Sequence, residues 1–174
     1  GSSPNTSSET YRGPSAFSEP ETRAIAWLCE QHEFELALNY HAYGNYLIYP
    51  WGTGVELTPD SNTFIAIASE MTSQNNYVYG TGLQTVGYNV NGDSDDWMYV
   101  DDLDVKPEIF AVTPEVGDAF WPPSSAIIPT CKEMLFSNLV MSHLAHVYGV
   151  TADLEDNRLS ASTGYLNYSI NRLG

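Results

Sequence analysis

Helical and extended hydrophobic periods alternate along this chain, and that alternation restricts its fold more than any other feature. Ala24, Ile25, Trp27 and Leu28 recur at helical spacing. They follow Ser18-Glu19-Pro20-Glu21, where a serine cap, an early proline and acids at the positive end of the helix dipole predict a start. That helix is expected to end near Gln31 or His32. Phe34 to Tyr40 then switches to a period of two, with Phe34, Leu36, Leu38 and Tyr40 on one face of a predicted strand. His41 to Trp51 reads as irregular, because Gly44, Pro50, Gly52 and Gly54 punctuate it. Thr58-Pro59-Asp60 opens a second predicted helix, reaching about Thr72, with Phe64, Ile65, Ile67, Ala68 and Met71 facing inward.

The same alternation continues downstream. Tyr77 to Tyr79 and Thr85 to Tyr88 are short strand candidates, and Asn89 to Asp104 is expected to be an acidic loop turning at Gly92. Ile109 to Thr113 is a short apolar run of the buried-strand kind. Pro129 is expected to open the last helix, running to about Tyr148 and closed by Gly149. Leu135, Leu139, Val140, His143, Leu144 and Val147 follow its stripe. Asp153 to Asn157 is a polar break, and Tyr165 to Ile170 reads as one further strand. The expected fold class is α/β, a mixed and mostly parallel sheet with flanking helices. Residues 1–15 are expected to be a mobile segment, 16–150 the domain, and 151–174 a linker and strand opening a following β module.

Composition narrows the function. The 174 residues are 43% hydrophobic, enough for a core. No apolar run approaches the ~20 residues of a membrane helix, and no membrane partner is expected. Twenty-two acidic against 6 basic residues give a net charge of −16. Nucleic acid binding needs the opposite sign, whereas basic peptides would be attracted. The run Asp93, Asp95, Asp96, Asp101, Asp102, Asp104 supplies hard oxygens of the kind calcium takes, without the spacing of an EF-hand. Cys29 and Cys131 form no Cys-x-x-Cys motif, and their pairing is open. Cys29 lies in a helical stretch and reads as a small buried hydrophobe.

In layered α/β folds, functional groups collect beyond the strand ends, which points to His41 to Tyr43, Tyr88 to Asp96, and Thr113 to Glu115. Each has an ordinary structural reading beside the functional one. A histidine after a buried strand is commonly a hydrogen-bonded framework residue, Glu115 is equally a solvated loop acid, and Tyr88 a half-buried aromatic.

Four segments in order resemble the C-terminal half of the carboxypeptidase A, B and T family of zinc metallocarboxypeptidases. They are Ser8-Glu9-Thr10-Tyr11-Arg12-Gly13 with Ser18-Glu19-Pro20-Glu21-Thr22; His41-Ala42-Tyr43-Gly44-Asn45 running into Leu47-Ile48-Tyr49-Pro50-Trp51-Gly52; Tyr88 through Gly92-Asp93-Ser94-Asp95-Asp96-Trp97; and Thr113-Pro114-Glu115 followed by Phe120-Trp121-Pro122-Pro123 and Ile127-Ile128-Pro129. The resemblance spans roughly Ser7 to Gly149. It implies a truncated half of the metallocarboxypeptidase, phosphorylase/hydrolase-like fold. It also implies that His41 is a zinc ligand, Glu115 the general base, Tyr88 a mobile tyrosine over the substrate's terminal carboxylate, and Tyr43 a subsite tyrosine. Asp95 matches the base of a specificity pocket, where an acid implies Lys or Arg at the substrate terminus; beside this stands the equal reading of an acid in a solvated acidic loop.

The implied activity is release of C-terminal amino acids from peptides and proteins by a secreted, extracellular or periplasmic enzyme, with zinc as cofactor in the full-length parent. The family's remaining zinc ligands, a His-x-x-Glu pair, and its carboxylate-gripping arginines belong to an N-terminal half that is the missing partner here. The isolated chain is therefore expected to be inactive and to hold zinc weakly, and uncovered sheet edges predict self-association. His32-Glu33-Phe34-Glu35 has the right spacing for a ligand pair but falls at a helix–strand junction, and His143 with His146 is a candidate surface pair on the last helix. The competing readings are a non-catalytic module that binds peptides or glycans, and a structural piece of a multidomain surface protein.

Overall fold

A computed structural model of the chain describes residues 2–100, 105–145, 148–152 and 168–172. Its centre is a four-stranded mixed sheet. The first helix, α1 (Pro20–Gln31), leads into β1 (Leu36–Leu38) and then β2 (Tyr46–Ile48). After α2 (Ser61–Thr72) come β3 (Val78–Gly80) and the short helices α3 (Gly82–Thr85) and α4 (Ser94–Tyr99). The fourth strand, β4 (Phe110–Glu115), precedes α5 (Ser124–Glu133) and α6 (Leu135–Leu144). The strand order is β1-β4-β2-β3, with β1 and β4 parallel, β2 and β3 parallel, and β2 antiparallel to β4. The sheet is thus mixed and mostly parallel, as the alternating periods predict. Two further strands, β5 (Tyr148–Ala152) and β6 (Tyr168–Arg172), pair antiparallel in a sheet of their own.

Strand alternation sends side chains to two different cores. On one face, Leu36 and Leu38 of β1 and Phe110 and Val112 of β4 meet Phe64, Ile67, Ala68 and Met71 of α2 and Met141 of α6. Phe64 is fully buried, with its ring 5.7 Å from Tyr49, 5.2 Å from Tyr99 and 5.1 Å from Phe110. On the other face, Ala37, Ile109 and Ala111 meet Cys29 of α1 and Met98 and Trp97 of α4. A sheet covered on both faces is what lets β4 read as a nearly continuous apolar run. Cys29 is a buried free thiol, as its apolar helical setting predicts, and Cys131 is a free thiol at the surface.

Several local expectations are corrected. Glu19 rather than Ser18 occupies the cap of α1, and the Ser18 hydroxyl bonds the Glu19 carboxylate instead of a helix N–H. The stretch from His41 to Trp51 contains the central strand β2, since between Gly44 and Pro50 there is room for three extended residues whose Leu47 and Ile48 are buried. Helix α2 starts at Ser61, later than its proline suggests, and Ile65 faces outward. Thr85 to Tyr88 is no strand: Thr81 and Gln84 form a capping box that winds α3, and a turn follows. The acidic segment expected to be loop is partly α4, because the Asp93 side chain accepts the Asp95 N–H and caps it. Gly92, at φ +73°, makes the expected turn before it.

The last predicted helix is two. Pro123 caps α5 and Pro129 lies inside it, so the proline read as a start is internal. Beyond α6 the chain is extended in β5, where helix was expected to Tyr148, and Ser137 and Met141 rather than Leu135 are buried on α6. Val147, His146, Tyr165 and the Asp101, Asp102 and Asp104 part of the acidic run lie outside the described residues.

Candidate active site

Register builds the site. Leu36, Ala37 and Leu38 pair with Phe110, Ala111 and Val112, and the same offset carried three residues further pairs His41 with Glu115. The His41 N–H donates to the Pro114 carbonyl at 2.9 Å, and the Val116 N–H donates back to the His41 carbonyl at 2.9 Å. On the opposite side Glu115 pairs with Tyr46 of β2, and its carbonyl accepts the Asn45 N–H at 2.8 Å. Asn45 also holds the following loop, its side-chain amide donating to Asp118 Oδ1 at 2.7 Å. The backbone of Glu115 is therefore clamped from both neighbouring strands.

Parallel pairing makes both side chains leave the sheet at the same end. The His41 Nδ1 lies 3.3 Å from Glu115 Oε1 and 3.1 Å from the Ala42 carbonyl. The imidazole is 68% exposed, whereas the Glu115 side chain is 15% exposed and its Oε2 is buried without a hydrogen-bond partner. A buried carboxylate oxygen without a donor is uncommon, and here it lies beside an imidazole at a strand end. Tyr43, two residues after His41, is exposed and packs edge-on against Phe120 at 4.7 Å between ring centres. Tyr88 is exposed on the turn after α3. No hydrogen bond or ion pair among the described residues joins it to His41 or Glu115.

Asp95 lies in the first turn of α4 and is 0% exposed. Its Oδ1 accepts from the Asn39 amide at 2.5 Å, and its Oδ2 is buried without a partner. Burial pushes its carboxyl up to about 7, with the Asp93 and Asp96 charges adding to the rise and the Asn39 amide and Thr113 hydroxyl opposing it. Asp96 is pushed up to about 6, first by burial and then by Asp93, against the Gly52 N–H that donates to it at 2.7 Å. Asp93 is raised by burial, with N–H bonds from Asp95 and Ser94 and the His41 imidazole opposing.

Asn39 carries no signal of its own in the sequence: it falls inside the predicted strand, on the face opposite Leu36 and Leu38. Thr113 lies in a strand-end candidate segment and Phe120 in the fourth motif, but the sequence assigns neither a role.

The other metal candidates stay apart from this cluster. His32 is the extended cap residue after α1, so it and Glu35 share no helical face, and its ring packs near Phe34. His143 is exposed. Among the described residues no group of three or more His, Cys, Asp or Glu is arranged to hold a metal ion, the acidic turn included. One imidazole and one neighbouring carboxylate fall short of the three protein ligands of a catalytic zinc, so no chemical step through zinc follows from these residues alone.

Comparison with known proteins agrees with the geometry. A family model described as zinc carboxypeptidase matches residues 1–137. Mast cell carboxypeptidase A of Rattus norvegicus is 32% identical over 148 residues, covering 78% of this chain and 35% of its own. Carboxypeptidase B of Canis lupus familiaris is 34% identical over 157 residues, covering 83% of this chain and 36% of its own. The chain thus spans about a third of the length of these relatives. A solved structure of bovine thrombin-activatable fibrinolysis inhibitor in complex with tick carboxypeptidase inhibitor superposes with a TM-score of 0.70 at 30% identity, covering 83% of this chain and 51% of that one.

Proposed function

Because this chain belongs to the zinc carboxypeptidase family, we propose that it forms the general-base side and the specificity wall of a zinc-dependent exopeptidase that releases C-terminal residues, basic ones above all, from peptides and proteins. The observation that supports this most is the His41–Glu115 pair, an imidazole and a half-satisfied carboxylate 3.3 Å apart at the shared end of two parallel strands. In this reading Glu115 takes a proton from the attacking water and returns it to the leaving amine. His41 is one metal ligand. Tyr43 and Phe120 form a wall for the peptide, Tyr88 closes over its terminal carboxylate from an exposed turn, and Asp95 accepts the cationic side chain of a terminal Lys or Arg. Zinc, when bound, polarises the peptide carbonyl and lowers the pKa of water.

A single imidazole leaves the ligand set incomplete, and we assign the remaining ligands to the N-terminal half of such a catalytic domain. The 174-residue chain alone then neither retains stoichiometric zinc nor cleaves peptides. The net charge of −16 fits a secreted, extracellular or periplasmic setting and favours basic peptides as substrates. The open edge of β1 favours self-association where nothing else covers it.

Two measurements test the proposal. The purified chain, dialysed against zinc, should carry well under one equivalent and release no arginine from a C-terminal arginine peptide. A reading frame extended upstream of Gly1 to include a His-x-x-Glu pair should give a product that does release it. An extended, zinc-loaded product that leaves such peptides intact would overturn the assignment.

A further inference from the structure

The buried end of the site contains an arrangement that the proton-transfer chemistry does not use. Asn39 stands on β1's continuation, two residues before His41, and its side-chain nitrogen faces α4. That nitrogen donates to Asp95 Oδ1 at 2.5 Å and to Ser94 Oγ at 3.2 Å, with Met98 Sδ at 3.6 Å. An amide nitrogen has two hydrogens, and the carboxylate bond is the charge-assisted one. On the helix side, the Asp95 N–H is held by the Asp93 carboxylate at 3.1 Å. The carboxyl group is thereby fixed at one oxygen and at its own backbone, while Oδ2 is buried without a hydrogen bond, the Thr113 hydroxyl lying near the carboxyl group but outside bonding geometry.

An oxygen left this way in a protein interior costs free energy, so it marks a place built for a donor that arrives from outside. The neighbouring charges define that donor. Asp93 and Asp96 stand on the same turn, with Asn39 of β1 and Thr113 of β4 as the neutral groups packed against it. Three carboxyl groups around one empty acceptor position repel anions, gain nothing from apolar groups and favour a cation.

We propose that Asn39 is a specificity-positioning residue: it ties down Asp95 through Oδ1 so that Oδ2 is the atom offered to the ammonium or guanidinium group of a basic terminal residue. This rests on the reading of Asp95 as the cation acceptor. Asn39 itself never touches the substrate. Its removal frees the carboxyl group to rotate and deprives the ionised form of a donor, so both the affinity for a cation and the ionisation of Asp95 suffer together. A residue that merely supported the fold would affect neither once the fold is intact.

The test uses the whole chain at pH 8 with n-propylguanidinium as probe and n-propylurea as its neutral counterpart, followed by NMR of the Asp95 carboxyl carbon and the surrounding amides. The wild-type chain should bind the guanidinium saturably and prefer it to the urea, and Asp95→Asn should abolish the preference. Asn39→Leu should weaken guanidinium binding about tenfold, leave the urea unaffected, and move the Asp95 titration to higher pH. Asn39→Ala provides the same comparison should the leucine variant fail to fold. In the wild type, the Asn39 side-chain amide should stay protected from exchange when the probe binds. Absence of any cation preference in the wild type would remove the Asp95 reading itself. A preference that survives both Asn39 substitutions, or an Asn39 amide that loses protection on binding, would overturn the positioning role while leaving Asp95 in place.

Discussion

Replacing Asp95 by Asn should make the protein more stable at neutral and alkaline pH, by an amount that vanishes in acid. The carboxyl group is fully buried and is raised from 3.8 to about 7 by burial and by its acidic neighbours. In the unfolded chain it ionises near its ordinary value. Between those two values the folded state holds a proton that the unfolded state has lost, so stability falls as pH rises through that window. A rise of roughly three units at ~1.4 kcal/mol each amounts to about 4 kcal/mol lost by pH 8. Relief of Asp93 and Asp96 accompanies the substitution, because the three groups titrate as one system. The asparagine keeps an oxygen for the Asn39 amide and puts an NH2 group where Oδ2 was, so the hydrogen-bond inventory barely changes. Urea denaturation at intervals from pH 4 to pH 8.5 measures the difference. The two proteins should be within about 1 kcal/mol of each other near pH 4 and separate by about 3 kcal/mol above pH 7.5, with the variant more stable. A variant equally or less stable at pH 8, or a difference that does not depend on pH, would refute the account of Asp95 as a carboxylate held against its own solvation.

Two further outcomes follow from the same structure. Phe64→Ala removes a fully buried ring from between Tyr49, Tyr99 and Phe110; it should cost about 3–5 kcal/mol in urea denaturation, and a loss below 1 kcal/mol would mean that the α2 face is not the main core. Self-association through the β1 edge works against a net charge of −16, so light scattering should show the oligomer fraction growing as salt rises from 20 mM to 500 mM. A strict monomer across that range would remove the edge as an interface.

What could be read from the chain and what could not divide along physical lines. The Leu36 and Leu38 alternation and the helical stripe of Phe64, Ile67, Ala68 and Met71 are visible because burial on one face imposes a period, whereas Phe34 and Tyr40, read as part of the same strand face, are exposed and lie outside β1. The four ordered motifs point to His41 and Glu115 for a different reason, and the structure pairs the two at neighbouring strand ends. Strand β2 escaped because three residues are too few to show a period between Gly44 and Pro50. Helix α4 escaped because its start is held by an Asp93 side-chain bond rather than by hydrophobic spacing. The division of the last helix turns on Pro129, which the rule for helix starts misplaces by five residues relative to Ser124. Burial of Asp95 was legible only through the family resemblance, since composition alone makes an acid in an acidic segment read as solvated until the strand beneath it is known.

One strand face carries the His41–Glu115 pair and the floor beneath Asp95 in a single line. Successive inward residues of β1's path are Ala37, Asn39 and His41, and those of β4 are Ala111, Thr113 and Glu115, because alternate residues share a face. The pair Ala37 and Ala111 joins the core beneath α1 and α4. One step along, Asn39 and Thr113 meet Asp95, which α4 lowers onto them. One step further, His41 and Glu115 reach the strand ends, where the imidazole is exposed. Polarity therefore rises by a single rung at a time, from methyl groups to neutral donors to an ionisable pair. The buried carboxyl group requires neutral donors below it and apolar cover around it, which only the middle rung provides. An ionisable pair needs an open neighbour, which only the last rung provides. If Asp95 is the cation acceptor and Glu115 the base, the strand residues beneath them lie one repeat apart, ~6.6 Å along the backbone, and the capped turn of α4 carries the acid itself.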